Sequence, residues 1–180
     1  MAKAEVQRLI GRLKMPAIAA PMFLVSNPAL TLACCAEGIM GSFPAHGTRS
    51  REQFQAWLDE MVEGMKRLQD DGRKPAPWAV NLVVHPSNPR YPGDLELVEK
   101  YKVPVVLTSK GAPGDAIRRI HGWGAVALHD IANRRDTGRN RPLSSTFRRG
   151  DSAGTFPRHA RHMGLFHRSR DIPGQSRPVH

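Results

Sequence analysis

Trp78-Ala79-Val80-Asn81-Leu82-Val83-Val84 is a seven-residue run with a single polar interruption, Asn81. A strand with one wet face alternates apolar and polar residues. A nearly unbroken apolar run belongs instead to a strand buried on both faces, the habit of parallel sheets. The same texture recurs on either side. Upstream lie Ala17-Ile18-Ala19-Ala20-Pro21-Met22 and the run 39–43; downstream lie Val103-Pro104-Val105-Val106-Leu107-Thr108 and the run 125–129. Strand starts near 17, 39, 78, 103 and 125 are 22, 39, 25 and 22 residues apart, each interval long enough for one crossover helix.

The intervals read as helices. Ser26-Asn27-Pro28 joins capping residues to a proline suited to a first helical turn, and the helix it opens ends at Gly38. Ser50-Arg51-Glu52-Gln53 is a capping box. After it, Phe54, Trp57, Leu58, Met61, Val62, Met65 and Leu68 recur with helical period, which predicts one buried face. Pro86, Pro89 and Pro92 mark a loop, followed by short helices over 94–101 and 113–121. The residues gathered at the predicted strand ends are Met22, Asn81, Thr108-Ser109-Lys110 and His129-Asp130. In parallel α/β folds those ends are where ligands bind.

Composition sets outer limits. The chain has 180 residues, a formal net charge of +11 and a 40% hydrophobic fraction, which suffices for a packed core. The longest apolar run, 15–25, is far shorter than the ~20 residues of a membrane-spanning helix, so no membrane partner is expected. Lys3, Arg8, Arg12 and Lys14 precede that run as in a secretory leader, but Pro16 and Pro21 bracket it, and a buried strand is the favoured reading. Cys34 and Cys35 are sequence neighbours, which makes neither a disulfide framework nor a metal site and fits a reducing, cytoplasmic location.

The charge is uneven. Residues 133–180 hold 11 Arg, no Lys, 3 Asp and no Glu, with few apolar side chains. Two parts are expected: a globular body over 1–132 and an Arg-rich tail over 133–180, either disordered or out of frame. Three readings compete for the tail: a basic arm for nucleic acid, a solvated extension, and translation out of frame. The third is favoured, because a strand–helix pattern gives way abruptly to Arg, Pro, Ser and His. Nucleic-acid binding ranks last, because the arginines are scattered and no folded motif supports them.

Both a (β/α) barrel and an open doubly wound sheet suit this pattern. No G-x-G-x-x-G follows the first strand and no P-loop occurs, which counts against nucleotide folds of those kinds. Five segments taken together resemble the nitronate monooxygenase (2-nitropropane dioxygenase) family over residues 13–132. They are Pro16-Ala17-Ile18-Ala19-Ala20-Pro21-Met22-Phe23-Leu24-Val25-Ser26, Gly41-Ser42-Phe43-Pro44-Ala45, and Ala79-Val80-Asn81-Leu82-Val83-Val84-His85 with Ser87-Asn88-Pro89. The last two are Val103-Pro104-Val105-Val106-Leu107-Thr108-Ser109 and Val126-Ala127-Leu128-His129-Asp130.

The resemblance implies an FMN-dependent (β/α)8 TIM barrel, here incomplete, with about five parallel strands and their helices. It implies that the backbone of Ala20, Pro21, Met22 and Phe23 lies against the flavin ring and that Asn81 hydrogen-bonds it. His129 or Asp130 stands where some members carry a flavin-contacting lysine. Plainer readings stay open: Pro21 and Met22 as a strand end, Asn81 as a backbone partner, His129 as a structural hydrogen-bonder. The family's catalytic histidine sits in an A-G-G-H-like segment that is not seen here, so no catalytic residue is assigned, and no metal is implied. The implied activity is oxidation of an alkyl nitronate with O2, a carbonyl compound and nitrite being formed. The alternatives are an FMN-dependent NADH:quinone or enoyl-thioester reductase, an inactive truncated fragment, and a basic nucleic-acid-binding protein. FMN binding by this chain is expected to be weak or absent, and open sheet edges are expected to favour self-association.

Overall fold

A computed structural model describes residues 2–111 and 114–130. The tail boundary at 133 and all readings of 133–180 lie outside the described residues. Helix α1 (Ala2–Ile10) comes first, followed by α2 (Pro28–Ala36), β1 (Ser42–Pro44), a 3-10 turn (Ala45–Gly47) and α3 (Arg51–Asp70). Then come β2 (Ala79–Val83), α4 (Tyr91–Lys100), β3 (Val105–Ser109), α5 (Gly114–Gly122) and β4 (Val126–His129).

The four strands form one sheet in the order β1-β2-β3-β4, and every pair is parallel. A doubly wound sheet reverses its strand order at a switch point, whereas a barrel lays each strand beside its predecessor. The strictly sequential order decides between the two architectures. The described residues build a partial (β/α) barrel.

Strand alternation divides the side chains between two faces. Phe43, Val80, Leu82 and Val106 join Phe54, Leu58, Met61, Leu95, Val98, Ala116 and Ile120 in the main core, under the helices. On the opposite, inner face Met40, Ala79 and Val105 pack with Leu9 and Leu13, so the segment at and after α1 covers the start of the strands. Two-sided burial is what the apolar runs required.

Several expected boundaries are corrected. The first predicted strand, 17–22, is reduced to a single parallel bridge, Ile18 to Met40. Ala19 N–H donates to Met40 O at 2.8 Å and Met40 N–H to Ala17 O at 3.2 Å. Pro16 and Pro21 lack the N–H groups that a longer ladder would use. The second predicted strand, 39–43, begins its ladder only at Ser42. The helix expected over 94–101 starts at Tyr91, with Pro92 inside its first turn, a position where a missing N–H costs nothing. The first part of the basic N-terminal run, with Lys3 and Arg8, forms α1, and Arg12 and Lys14 follow it.

α3 follows its prediction closely. Ser50 accepts from the Gln53 N–H at 3.2 Å, and the Gln53 side chain accepts from the Arg49 N–H at 2.7 Å. Phe54, Leu58, Met61 and Met65 are buried, but Val62 is 46% exposed, one hundred-degree step beyond Met61 and off the covered stripe. At Gly41, which joins the bridge to β1, an added Cβ would run into the backbone of Thr31 in α2, its Cα at 2.8 Å. Only glycine lets α2 approach the sheet this closely.

Phe54→Ala empties a fully buried ring position and is expected to cost about 3–5 kcal/mol of stability. Val62→Ala, on the same helix, is expected to cost less than about 0.5 kcal/mol. Urea unfolding of both variants checks the assignment, and equal losses would show that the face has been misplaced.

Candidate functional site

The C-terminal ends of the strands gather four segments: the loop 20–25 after the bridge, the turn after β1, the end of β2, and the end of β3. The inner face carries Ser42, in the layer of Ala79 and Val105, and then Asn81 and Ser109 toward this end. Ser42 donates to Ala19 O, and Asn81 lies beside Ser109.

Asn81 is buried and fixed. Its Nδ2 donates to Leu107 O and to Ser109 Oγ, both at 3.1 Å. The carbonyl of Leu107 can only accept, which settles which end of the amide faces it. Both amide protons are thus engaged, and Oδ1, without a hydrogen bond to any described residue, remains an acceptor.

The loop is stapled from beneath. Ser26, 2% exposed, accepts from the Met22 N–H at 2.9 Å and donates to Ala20 O at 3.3 Å. Asn27 then caps α2 by accepting from the Leu30 N–H at 2.9 Å. Held in this way, the loop turns Met22, Phe23, Leu24 and Val25 outward, with Leu24 81% exposed and in the left-handed region at φ 65°. Ala20 is exposed and Pro21 half-buried. Among the described residues nothing accepts from the N–H groups of Phe23 and Leu24.

His46 was not singled out by the sequence, yet it belongs to this cluster. Its ring stacks on Phe23, centroids 5.6 Å apart and planes 14° from parallel. Its Nδ1 is buried without a hydrogen-bond partner among the described residues. Burial first, then the charges of Lys110 and Arg90, hold its pKa below the usual 6.5. Lys110 directly follows β3 and adopts φ 59°. A histidine in the turn after a three-residue strand carries no periodic signal, so only the fold reveals it.

The remaining expected residues divide. His129 pairs in register with Thr108, and its Nδ1 lies 2.9 Å from Thr108 Oγ1. Both lie on the strand side shared with Val106 and Ala127, under the helices, whereas Asn81 lies on the inner side. The structure therefore does not bring His129 to Asn81, and the plainer role, a hydrogen bond between neighbouring strands, is the one seen. Asp130 is exposed and extends the ladder by donating its N–H to Thr108 O at 2.9 Å. Among the described residues no group of three or more His, Cys, Asp or Glu is placed to hold a metal ion. None of the helices described is long and apolar enough to cross a membrane.

No family model matches the chain, and no curated protein matches it. Among solved structures it is similar to FabK from Thermotoga maritima, with a TM-score of 0.60 and 19% identity over 73% of this chain and 39% of that one. A point mutant of the same FabK gives a TM-score of 0.61 at 19% identity, covering 74% of this chain and 41% of the mutant. The chain spans about two fifths of the length of these structures. At this identity the likeness shows the fold: a partial TIM barrel.

The lowered pKa of His46 has a consequence for stability. The unfolded chain takes up a proton near 6.5 that the folded chain resists. Stability is therefore complete above that value and declines as the pH falls through it. Urea midpoints at about pH 7.5 and about pH 5.5 should differ more for the wild type than for His46→Phe, which keeps a ring and loses the titration. An equal pH dependence in the two proteins would contradict this assignment.

Proposed function

We propose that the chain supplies the ring-binding side of an FMN-dependent barrel oxidoreductase. The observation that carries this is the pairing of Asn81 with the loop 20–25 at the C-terminal strand ends. A flavin ring has flat apolar faces and a polar edge bearing both acceptors and one N–H. The residues present fit such a group. Asn81 keeps an unengaged acceptor, Phe23 and Leu24 keep unengaged N–H donors, and Met22 and Phe23 present exposed apolar surface.

Asn81 would accept from the ring's N–H, and its two donated bonds prevent it from turning away. The amides beyond Met22 would donate to ring acceptors, with Ser26 keeping the loop in position. Bound flavin supplies reversible two-electron chemistry, and this chain's groups position the ring and polarise its edge. Asp130 remains a candidate contact from β4's end. His46, held toward its neutral form beside Phe23, would keep the floor of the site free of a further positive charge.

Two substrate readings follow from different observations. The sequence segments resemble nitronate monooxygenases, which favours an alkyl nitronate and O2. The fold likeness is to FabK, an enoyl-ACP reductase, which favours an enoyl thioester reduced at the expense of NADH. The FabK likeness supports the second reading somewhat better. Ring contacts alone omit the charge-assisted hydrogen bonds of a bound phosphate, each worth about 1.5–3 kcal/mol, so FMN binding by this chain should be weak.

Titrating FMN and following its visible absorbance tests the proposal. The expected result is weak, saturable binding that Asn81→Ala weakens by about tenfold, the worth of roughly one hydrogen bond. Stoichiometric tight binding would refute the weak-affinity reading, and no spectral change at saturating FMN would refute the ring site. Under anaerobic conditions, bleaching by an alkyl nitronate selects the first substrate class. Bleaching by NADH with recovery on adding an enoyl thioester selects the second.

A further inference from the structure

Away from the inner face, the same end of the barrel carries a second concavity. A cleft of about 490 Å³ lies between the start of α3 and the start of α4, lined by Arg49, Ser50, Arg51, Arg90, Gly93 and Asp94 together with Pro89. Three guanidinium groups thus meet residues from two chain segments that follow successive strands.

Each arginine is held differently. Arg90 is anchored: it donates to Thr48 O, to Thr48 Oγ1 at 3.1 Å and to Asp94 Oδ1 at 3.3 Å. That leaves part of its five-donor fork unengaged. Arg51 pairs with Glu96 at 3.1 Å, with both side chains at least half exposed, a pairing that water screens and a better anion displaces. Arg49 makes no ion pair among the described residues.

Gly93 sets the geometry on the α4 side. A Cβ there would collide with the guanidinium of Arg51, whose Cζ would lie at 3.6 Å. Glycine at this position lets Arg51 rest against the first turn of α4. Arg90 stands at the cap of that helix without a side-chain cap bond, and nothing among the described residues outside the helix accepts from the Gly93 N–H. Three cations against the carboxylates of Asp94 and Glu96 leave the cleft positive, and two converging helix starts add to its field.

We propose that this cleft binds a phosphate monoester group carried by a small-molecule substrate or co-substrate. Guanidinium forks match the oxygens of a phosphate two at a time, and the size and openness of the cleft suit a headgroup rather than a buried molecule. The cleft lies in the helix layer, apart from the inner-face residues assigned to the flavin ring. The proposal does not rest on that assignment, and its test uses flavin-free protein.

The full chain, labelled with nitrogen-15, is titrated at constant ionic strength with glycerol 3-phosphate, inorganic phosphate and chloride. Residue-resolved amide shifts separate the cleft from the chain's other arginines. Glycerol 3-phosphate should shift the amides of Ser50 and Gly93 saturably, with a Kd of roughly a millimolar or below. Arg49→Ala and Gly93→Ala should each weaken binding by about tenfold. Gly93→Ala meets only the end of a flexible side chain and replaces glycine within a helix, so its melting temperature should be unchanged or higher. Shifts that chloride reproduces, shifts that do not saturate, or variants that bind like the wild type would overturn the proposal. Binding of inorganic phosphate with exclusion of the monoester would overturn it equally.

Discussion

Every strand of this sheet must be covered on both faces, and the rest of the molecule follows from that requirement. The helices cover one face through Phe54, Leu58, Met61, Leu95, Val98 and Ile120. The other face is apolar at the start of the strands, where Met40, Ala79 and Val105 meet Leu9 and Leu13. Toward the strand ends it becomes polar, with Asn81 and Ser109 bonded to each other. One end of the sheet is therefore closed by burial and the other is left for chemistry, the usual division of labour in a parallel barrel.

What the sequence makes legible is what repeats. α3 is announced by its capping box and its stripe, and β2 to β4 by runs of valine, alanine and leucine that suit no wet surface. Segments governed by single bonds are harder to read. The run 17–22 is as apolar as any strand, yet two prolines and a turn at Ser26 reduce it to one bridge. Val62 passes for core because a stripe read from sequence has no sharp edge, whereas a packed helix does. Asn81 is legible as the polar break in an apolar run; His46, Ser26 and the Arg cleft are not. Arg49 and Arg90 meet only because successive strands are parallel neighbours, which brings the loops that follow them together.

Electrostatics reinforces the same asymmetry. Arg90 and Lys110 act on His46 from the strand-end side and, with burial, hold it toward the neutral form. The tyrosine and cysteine whose pKa values are pushed highest lie elsewhere: Tyr101 to about 12, by desolvation and the hydrogen bond to Asp59, and Cys35 to about 11, by burial on the core side of α2. A buried thiol held protonated is an inert packing group. Reactive character is thus removed from the interior, while Arg90 and Lys110 bring positive charge to the end where the loops converge.

On the proposed function, the exposed loop 22–25 is the surface on which the flat ring lies. Left in water, four apolar side chains in a row gain nothing from exposure, and a chain free to fold them inward would do so. Ser26 prevents that by tying Ala20 and Met22 from below, so the loop is held open by part-buried hydrogen bonds to a buried hydroxyl. An occupant of this surface must be apolar across its face and polar at its rim, where Asn81 Oδ1 and the amides of Phe23 and Leu24 are available. A planar heteroaromatic ring meets both demands, whereas an aliphatic ligand would leave the polar groups unpaired and a strongly charged one would desolvate itself against the apolar loop.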